Sequence, residues 1–140
     1  MTNSMRWLVF AAFLFLIPSL AQGQNEKVIH QAFDLNGIDH LSVDLAGAVE
    51  IEFWAGDNAL SETKIQLYDA PGHVLKFFIE EKKRYEILEA RNETSLRLSS
   101  NDPVRDPIRY RETTCFESVK LRLFIPDSFE KTGEGEYQRR

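Results

Sequence analysis

Asp39, His40 and Ser42 are the residue types from which a nucleophilic triad is built. Their spacing works against that use, because adjacent residues on an extended chain point to opposite faces and cannot meet. Asp39 reads as a turn residue and His40 as a surface one. Glu50 and Glu52 share a face, as the two carboxylates of a glycoside hydrolase would, yet such pairs flank a cleft from separate strands. Here they fall on the solvent side of one amphipathic strand. His30, His40 and His73 form no i,i+2 or i,i+4 pair, and the single Cys115 cannot supply a thiolate cage, so no zinc site is expected. Gly56-Asp57-Asn58 and Asn101-Asp102 offer oxygen ligands without the dense Asp and Gly spacing of a calcium loop. Asn92-Glu93-Thr94 matches the glycosylation sequon, which matters only in a eukaryotic secretory host. Phosphate-cradling Gly loops and nucleophile elbows are absent. The sequence therefore assigns no catalytic, cofactor-binding or metal-ligating residue.

The residues that do carry a message stand at the start. Met1 to Gly23 reads as a cleaved export signal: Arg6 is its only side-chain charge, an apolar run extends from Trp7 to Ile17, and Pro18 breaks it before Ala21-Gln22-Gly23. The run is about half of the roughly 20 residues that a spanning helix needs, so no stable membrane span is expected after cleavage. Cleavage after Ala21 and after Gly23 both fit. Lipidation through a new N-terminal Cys is excluded because the only cysteine is Cys115. Without this segment the chain keeps 22 Asp and Glu and loses one of its 17 Lys and Arg, so it is acidic. An acidic exported chain is a poor match to nucleic acid or anionic lipid. The basic groups Lys82-Lys83-Arg84 and Arg105, Arg109 and Arg111 are interleaved with acids and read as a solvated mixed-charge surface. One Cys rules out an internal disulfide framework, and Cys115 in Thr-Thr-Cys-Phe reads as a small buried hydrophobe.

Residues 24–131 are expected to form one mainly β domain, followed by a polar tail over 132–140. Gln24 to Lys27 reads as extended or disordered. Leu41, Val43 and Leu45 alternate with Ser42 and Asp44, and Val49, Ile51 and Phe53 alternate with Glu50 and Glu52 on the same parity, which gives two strands on one core joined at Ala46-Gly47-Ala48. A turn at Ala55-Gly56-Asp57-Asn58 precedes a strand over Lys64 to Tyr68. Val74, Leu75, Phe78, Ile79 and Lys82 then share a helical face, predicting a short helix over Pro71 to Lys83 with Asp69 as its N-cap. Tyr85 to Ser99 reads as a hairpin turning at Arg91-Asn92-Glu93. Ser100 to Pro107 is an irregular excursion, with a short strand near Ile108 to Thr113. Val119, Leu121, Leu123 and Ile125 make the clearest strand, stopped by Pro126-Asp127, and Thr132 to Arg140 reads as frayed.

The order Phe33, Ile38, Leu41-Ser42-Val43, Gly47, Val49-Glu50-Ile51, Gly56-Asp57, Ile65-Gln66-Leu67, with the closing Val119 to Pro126, resembles the GIN-type auto-transporter adhesin head domains. The resemblance spans residues 33–126. It implies an exported bacterial β-rich domain whose strands stack into a β-solenoid, and transfers no catalytic residues; for this chain a β-solenoid-like domain and a β-sandwich both stay open. The resulting expectation is a periplasmic or secreted, non-catalytic domain with a binding, adhesin-like or envelope-structural role toward a protein or glycan partner. Aromatic residues such as Trp54 and Tyr68 at strand ends either serve such contact or seal the edges of the core. The rival expectations are an enzyme acting on envelope glycans or peptides and a strand-edge assembly protein.

Overall fold

The computed structural model describes residues 24–140, so the segment that reads as an export signal lies outside the described residues. The elements run β1 (Gln24–Phe33), β2 (His40–Asp44), β3 (Val49–Trp54), β4 (Ala59–Tyr68), α1 (Gly72–Glu80), β5 (Ile87–Asn92), β6 (Ser95–Ser100), β7 (Arg109–Tyr110), β8 (Thr113–Thr114), β9 (Glu117–Pro126), β10 (Phe129–Gly133) and β11 (Glu136–Arg139). The fold is mainly β, as the alternation implies. A four-stranded sheet in the order β1-β4-β9-β3 faces a five-stranded sheet in the order β10-β11-β2-β6-β5, and β7-β8 form a separate hairpin. No helix among the described residues is long and apolar enough to cross a membrane.

The two sheets close on one core, to which both contribute: Phe33, Ala59, Leu121, Leu123 and Ile125 from the first, and Leu41, Leu96, Leu98, Phe129 and Tyr137 from the second. Burying each such Leu, Ile or Phe contributes about 1.5–3 kcal/mol. Each sheet holds one parallel pair in register, β2 with β6 in the larger and β3 with β9 in the smaller. Antiparallel β11 and β4 flank them, so the arrangement is a sandwich and not a run of stacked parallel rungs. The shared parity of β2 and β3 is correct for the core they enter. They enter it from opposite sheets, however, across a corner at Gly47, whose φ of +80° suits glycine. A second cluster lies at the other end of the four-stranded sheet. There Val74 and Leu75 of α1 cover Ile65, Leu67 and Cys115, and Cys115 is buried as expected.

Three expectations are corrected. The helix is shorter than Pro71 to Lys83 and has no side-chain cap. Pro71 takes the cap position, and Asp69 sits before it with φ +62°. At the other end Lys83 adopts φ +51°, and the amide of Arg84 donates to the Phe78 carbonyl, a left-handed stop that turns the chain inward. The strand expected over Lys64 to Tyr68 is longer: β4 begins at Ala59 and forms a ten-residue antiparallel ladder with β1, so that of the two readings for Gln24 to Lys27 the extended one holds. Finally, the frayed tail is structure. β10 and β11 form a hairpin that pairs with β2, with Phe129 and Tyr137 fully in the core.

Candidate functional site

Ser42 and His40, the residue types of a triad, meet a partner that lies far from them in the sequence. Both are on the outer face of β2, and Glu136 of β11 stands directly across from Ser42. Glu136 accepts from the Ser42 hydroxyl at 3.0 Å through Oε1 and meets the His40 Nε2 at 2.5 Å through Oε2. The order is serine, carboxylate, histidine. A nucleophilic triad needs histidine in the middle, to take the hydroxyl proton. Here the hydroxyl is committed to a carboxylate, and the histidine and glutamate side chains are each about two-fifths exposed. The arrangement fastens β11 to β2. Asp39 takes no part: it faces Arg139 at 3.9 Å in an exposed pair.

Glu50 and Glu52 also find a partner. Both lie on the outer face of β3 and flank one guanidinium, with Arg122 of β9 at 3.9 Å from Glu50 and 2.9 Å from Glu52. Two carboxylates that share one arginine on the open face of a single strand do not flank a cleft from separate strands. His30 lies on β1, His40 on β2 and His73 on α1. Among the described residues no group of three His, Cys, Asp or Glu is placed to hold a metal. Asp57, Asn58, Asn92 and Asn101 are all exposed on turns, bends or strand ends.

The most perturbed ionisable groups belong to a cluster that sequence reasoning misses. Arg84, at the end of a basic run that reads as solvated, is only 5% exposed and makes a two-pronged contact with Glu117, Nε to Oε2 at 3.0 Å and Nη2 to Oε1 at 2.9 Å. Its Nη2 also donates to the Asp106 carbonyl, and the Tyr85 hydroxyl donates to Glu117. Burial opposes the charge on Glu117, but the hydrogen bonds from Arg84 and Tyr85 and the arginine charges outweigh it and hold the carboxyl below the usual range. Burial and the neighbouring Glu117 push the Tyr85 hydroxyl well above its ordinary value. An acid held ionised beside a phenol held neutral leaves nothing to exchange a proton near neutral pH. The cluster is a clamp joining the end of α1, the 102–108 excursion and the start of β9.

A further candidate, one of several concavities among the described residues, is a groove of about 420 Å³ at the open side of the sandwich, lined by Val43, Leu45, Val49, Ile51 and Tyr137 with Lys131 and Glu134 on its rim. It exists because the sheets are unequal. β3 ends the four-stranded sheet, while the five-stranded one continues past it through β11 and β10. Lys131 lies opposite Tyr137 on the core-facing side of β10, yet it is exposed, because no strand of the facing sheet covers it. Phe53 on β3 is 49% exposed for the same reason and meets Tyr137 edge-on, with ring centroids 6.1 Å apart. Gly135 shapes the lip. Its φ is +67°, its carbonyl accepts from the Val43 amide at 2.8 Å, and a Cβ there would sit 2.5 Å from the Val43 oxygen.

Trp54 and Tyr68 are both partly buried and engaged within the chain. The Trp54 ring folds over Gly56 and donates to the Asn58 carbonyl at 2.9 Å, and Tyr68 packs on Phe116. The groove has a partial signal in the sequence, since Gly133-Glu134-Gly135 between Phe129 and Tyr137 has the chemistry of a hairpin turn. No protein-family model, curated protein or solved structure matches the chain.

Proposed function

We propose that the chain is an exported, non-catalytic β-sandwich module that binds a protein or glycan partner at the cell envelope, and that the groove beside β3 is its binding surface. The observation that carries this reading is the groove itself: a concavity walled by Val43, Leu45, Val49, Ile51 and Tyr137, with Lys131 and Glu134 making much of its exposed surface polar, formed where one sheet overhangs the other. The Met1 to Gly23 segment supports export. A catalytic role on envelope glycans or peptides has less in its favour, because the Ser42 hydroxyl is committed to Glu136 and not to His40.

Photo-crosslinking in the intact producing cell tests the proposal. A photoreactive residue in place of Val49, in the groove, is expected to give an adduct of discrete mass in the envelope fraction. The same residue in place of Leu88, on the far edge strand β5, is expected to give none. No adduct from the groove, equal adducts from both positions, or recovery of the protein in the cytosol would each count against it.

A further inference from the structure

Among the described residues the sandwich has four edge strands, and three of them carry lysine or arginine. β1 carries Glu26 and Lys27, with Glu26 tied to Lys64 and Gln66 of β4. β5 has five of its six residues exposed, with Glu89 and Arg91 paired on the same face as Ile87, opposite Leu98 and Leu96 of β6. β10 presents Glu130 and Lys131. Charged edges of this kind deter pairing with another chain. β3 is different: its core-facing row is Val49, Ile51 and Phe53, it has no lysine, arginine or proline, and the overhang of β10 and β11 leaves space for one more strand beside it.

The pattern such a strand must have is already displayed on the other side of β3. There β9 turns Leu121, Leu123 and Ile125 to the core and Lys120 and Arg122 outward, with Arg122 opposite Glu50 and in contact with Glu52. One arginine serves two carboxylates, and Glu50 stays 67% exposed. A second copy of this chain is a poor occupant. Antiparallel pairing of β3 with itself through Ile51 would place Glu50 against Glu52, and like charges directly opposite are destabilising. The acidic outer row asks for a cationic partner, and the apolar inner row asks for an apolar one. Alternation satisfies both at once.

We propose that β3 accepts an extended peptide segment of a partner protein that alternates apolar residues with Lys or Arg. Its backbone would extend the four-stranded sheet, its apolar side chains would fill the groove over Tyr137, and its cations would meet Glu50 and Glu52. Strand addition of this kind takes affinity from the backbone ladder and specificity from alternate side chains. The proposal rests on the groove being the binding surface and names the chemistry of its occupant.

The test uses the processed full-length protein and three synthetic octapeptides: one alternating Val with Lys and Arg, one with Glu in place of every cation, and one cationic peptide N-methylated at alternate residues to remove ladder donors. The cationic peptide is expected to bind, with amide shifts centred on β3. The acidic and N-methylated peptides are expected to bind at least tenfold more weakly. Glu50→Gln with Glu52→Gln is expected to weaken the cationic peptide about tenfold without altering the fold, since both side chains face solvent. Glu50→Lys with Glu52→Lys is expected to transfer preference to the acidic peptide. Equal binding by the N-methylated peptide overturns strand addition, and equal binding by the acidic peptide overturns the charge assignment. If the peptides fail while the Val49 crosslink persists, this inference is wrong and the groove reading survives. If both fail, both are wrong.

Discussion

Glu117 is where single-residue chemistry and stability meet, because Arg84 and Tyr85 both depend on it. Replacing it with Gln leaves the Arg84 guanidinium, 5% exposed, without its counter-charge. Glu117→Gln is expected to cost about 3 kcal/mol at neutral pH, within the usual range for breaking a buried pair. The pH dependence follows from the direction of the shift. The folded carboxyl titrates below its unfolded value, so its contribution is complete above the ordinary carboxylate range and is lost as pH falls through the lowered pKa. Urea unfolding at a series of pH values should show the native protein losing stability on acidification more steeply than the variant, and parallel slopes would refute the assignment. Tyr85 acts on the opposite limb. Its raised pKa favours the neutral phenol, so its share is present below about pH 10 and is lost above that. None of this was legible in Lys82-Lys83-Arg84, since three consecutive cations look solvated until the left-handed turn at Lys83 sends one of them inward.

At the level of elements, the strands that the sequence disclosed are those with one clean apolar face. β3, β6 and β9 alternate over most of their length, because each turns a single row of side chains toward the core. β4 escaped for half its length because two of its inward positions are Ser61 and Thr63, buried at 2% and 1% exposure, and the Ser61 hydroxyl has no partner among the described residues. Small polar residues facing inward erase the period on which strand reading depends. β10 and β11 escaped for a different reason: they overhang the facing sheet, so only Phe129 and Tyr137 are covered and the remaining positions stay polar. Their hairpin makes the groove, and its weak point is Gly135. Gly135→Ala combines a positive φ with a 2.5 Å approach to the Val43 oxygen and is expected to lower stability by about 2 kcal/mol. The same change should pull the hairpin tip from β2. Faster hydrogen exchange at the Val43 amide, which donates to Gly135, would report it.

For the whole molecule, the two hydrophobic clusters are not independent units, because β4 and β9 run through both. Sheet and helix ends should therefore unfold in one transition. Cys115, buried under α1 in the second cluster, gives a direct measure: its labelling by a thiol reagent is expected to share its urea midpoint with the loss of backbone circular dichroism. Earlier labelling would mean that the helical end opens alone. The mainly β class was within reach of sequence reasoning, whereas the choice of sandwich over solenoid and the pairing that sets strand order were not, since β2 is joined to β11 across 94 residues by the Ser42 and Glu136 contact. That separation has a kinetic meaning. Contacts so distant along the chain cannot form until most of the polymer between them is already arranged, and sheets of this kind fold in milliseconds to seconds where helical bundles take microseconds to milliseconds. Until β11 arrives, the flank of β2 stays open, and a chain in that condition is still pliable enough to be threaded, delayed or handed on before it becomes rigid.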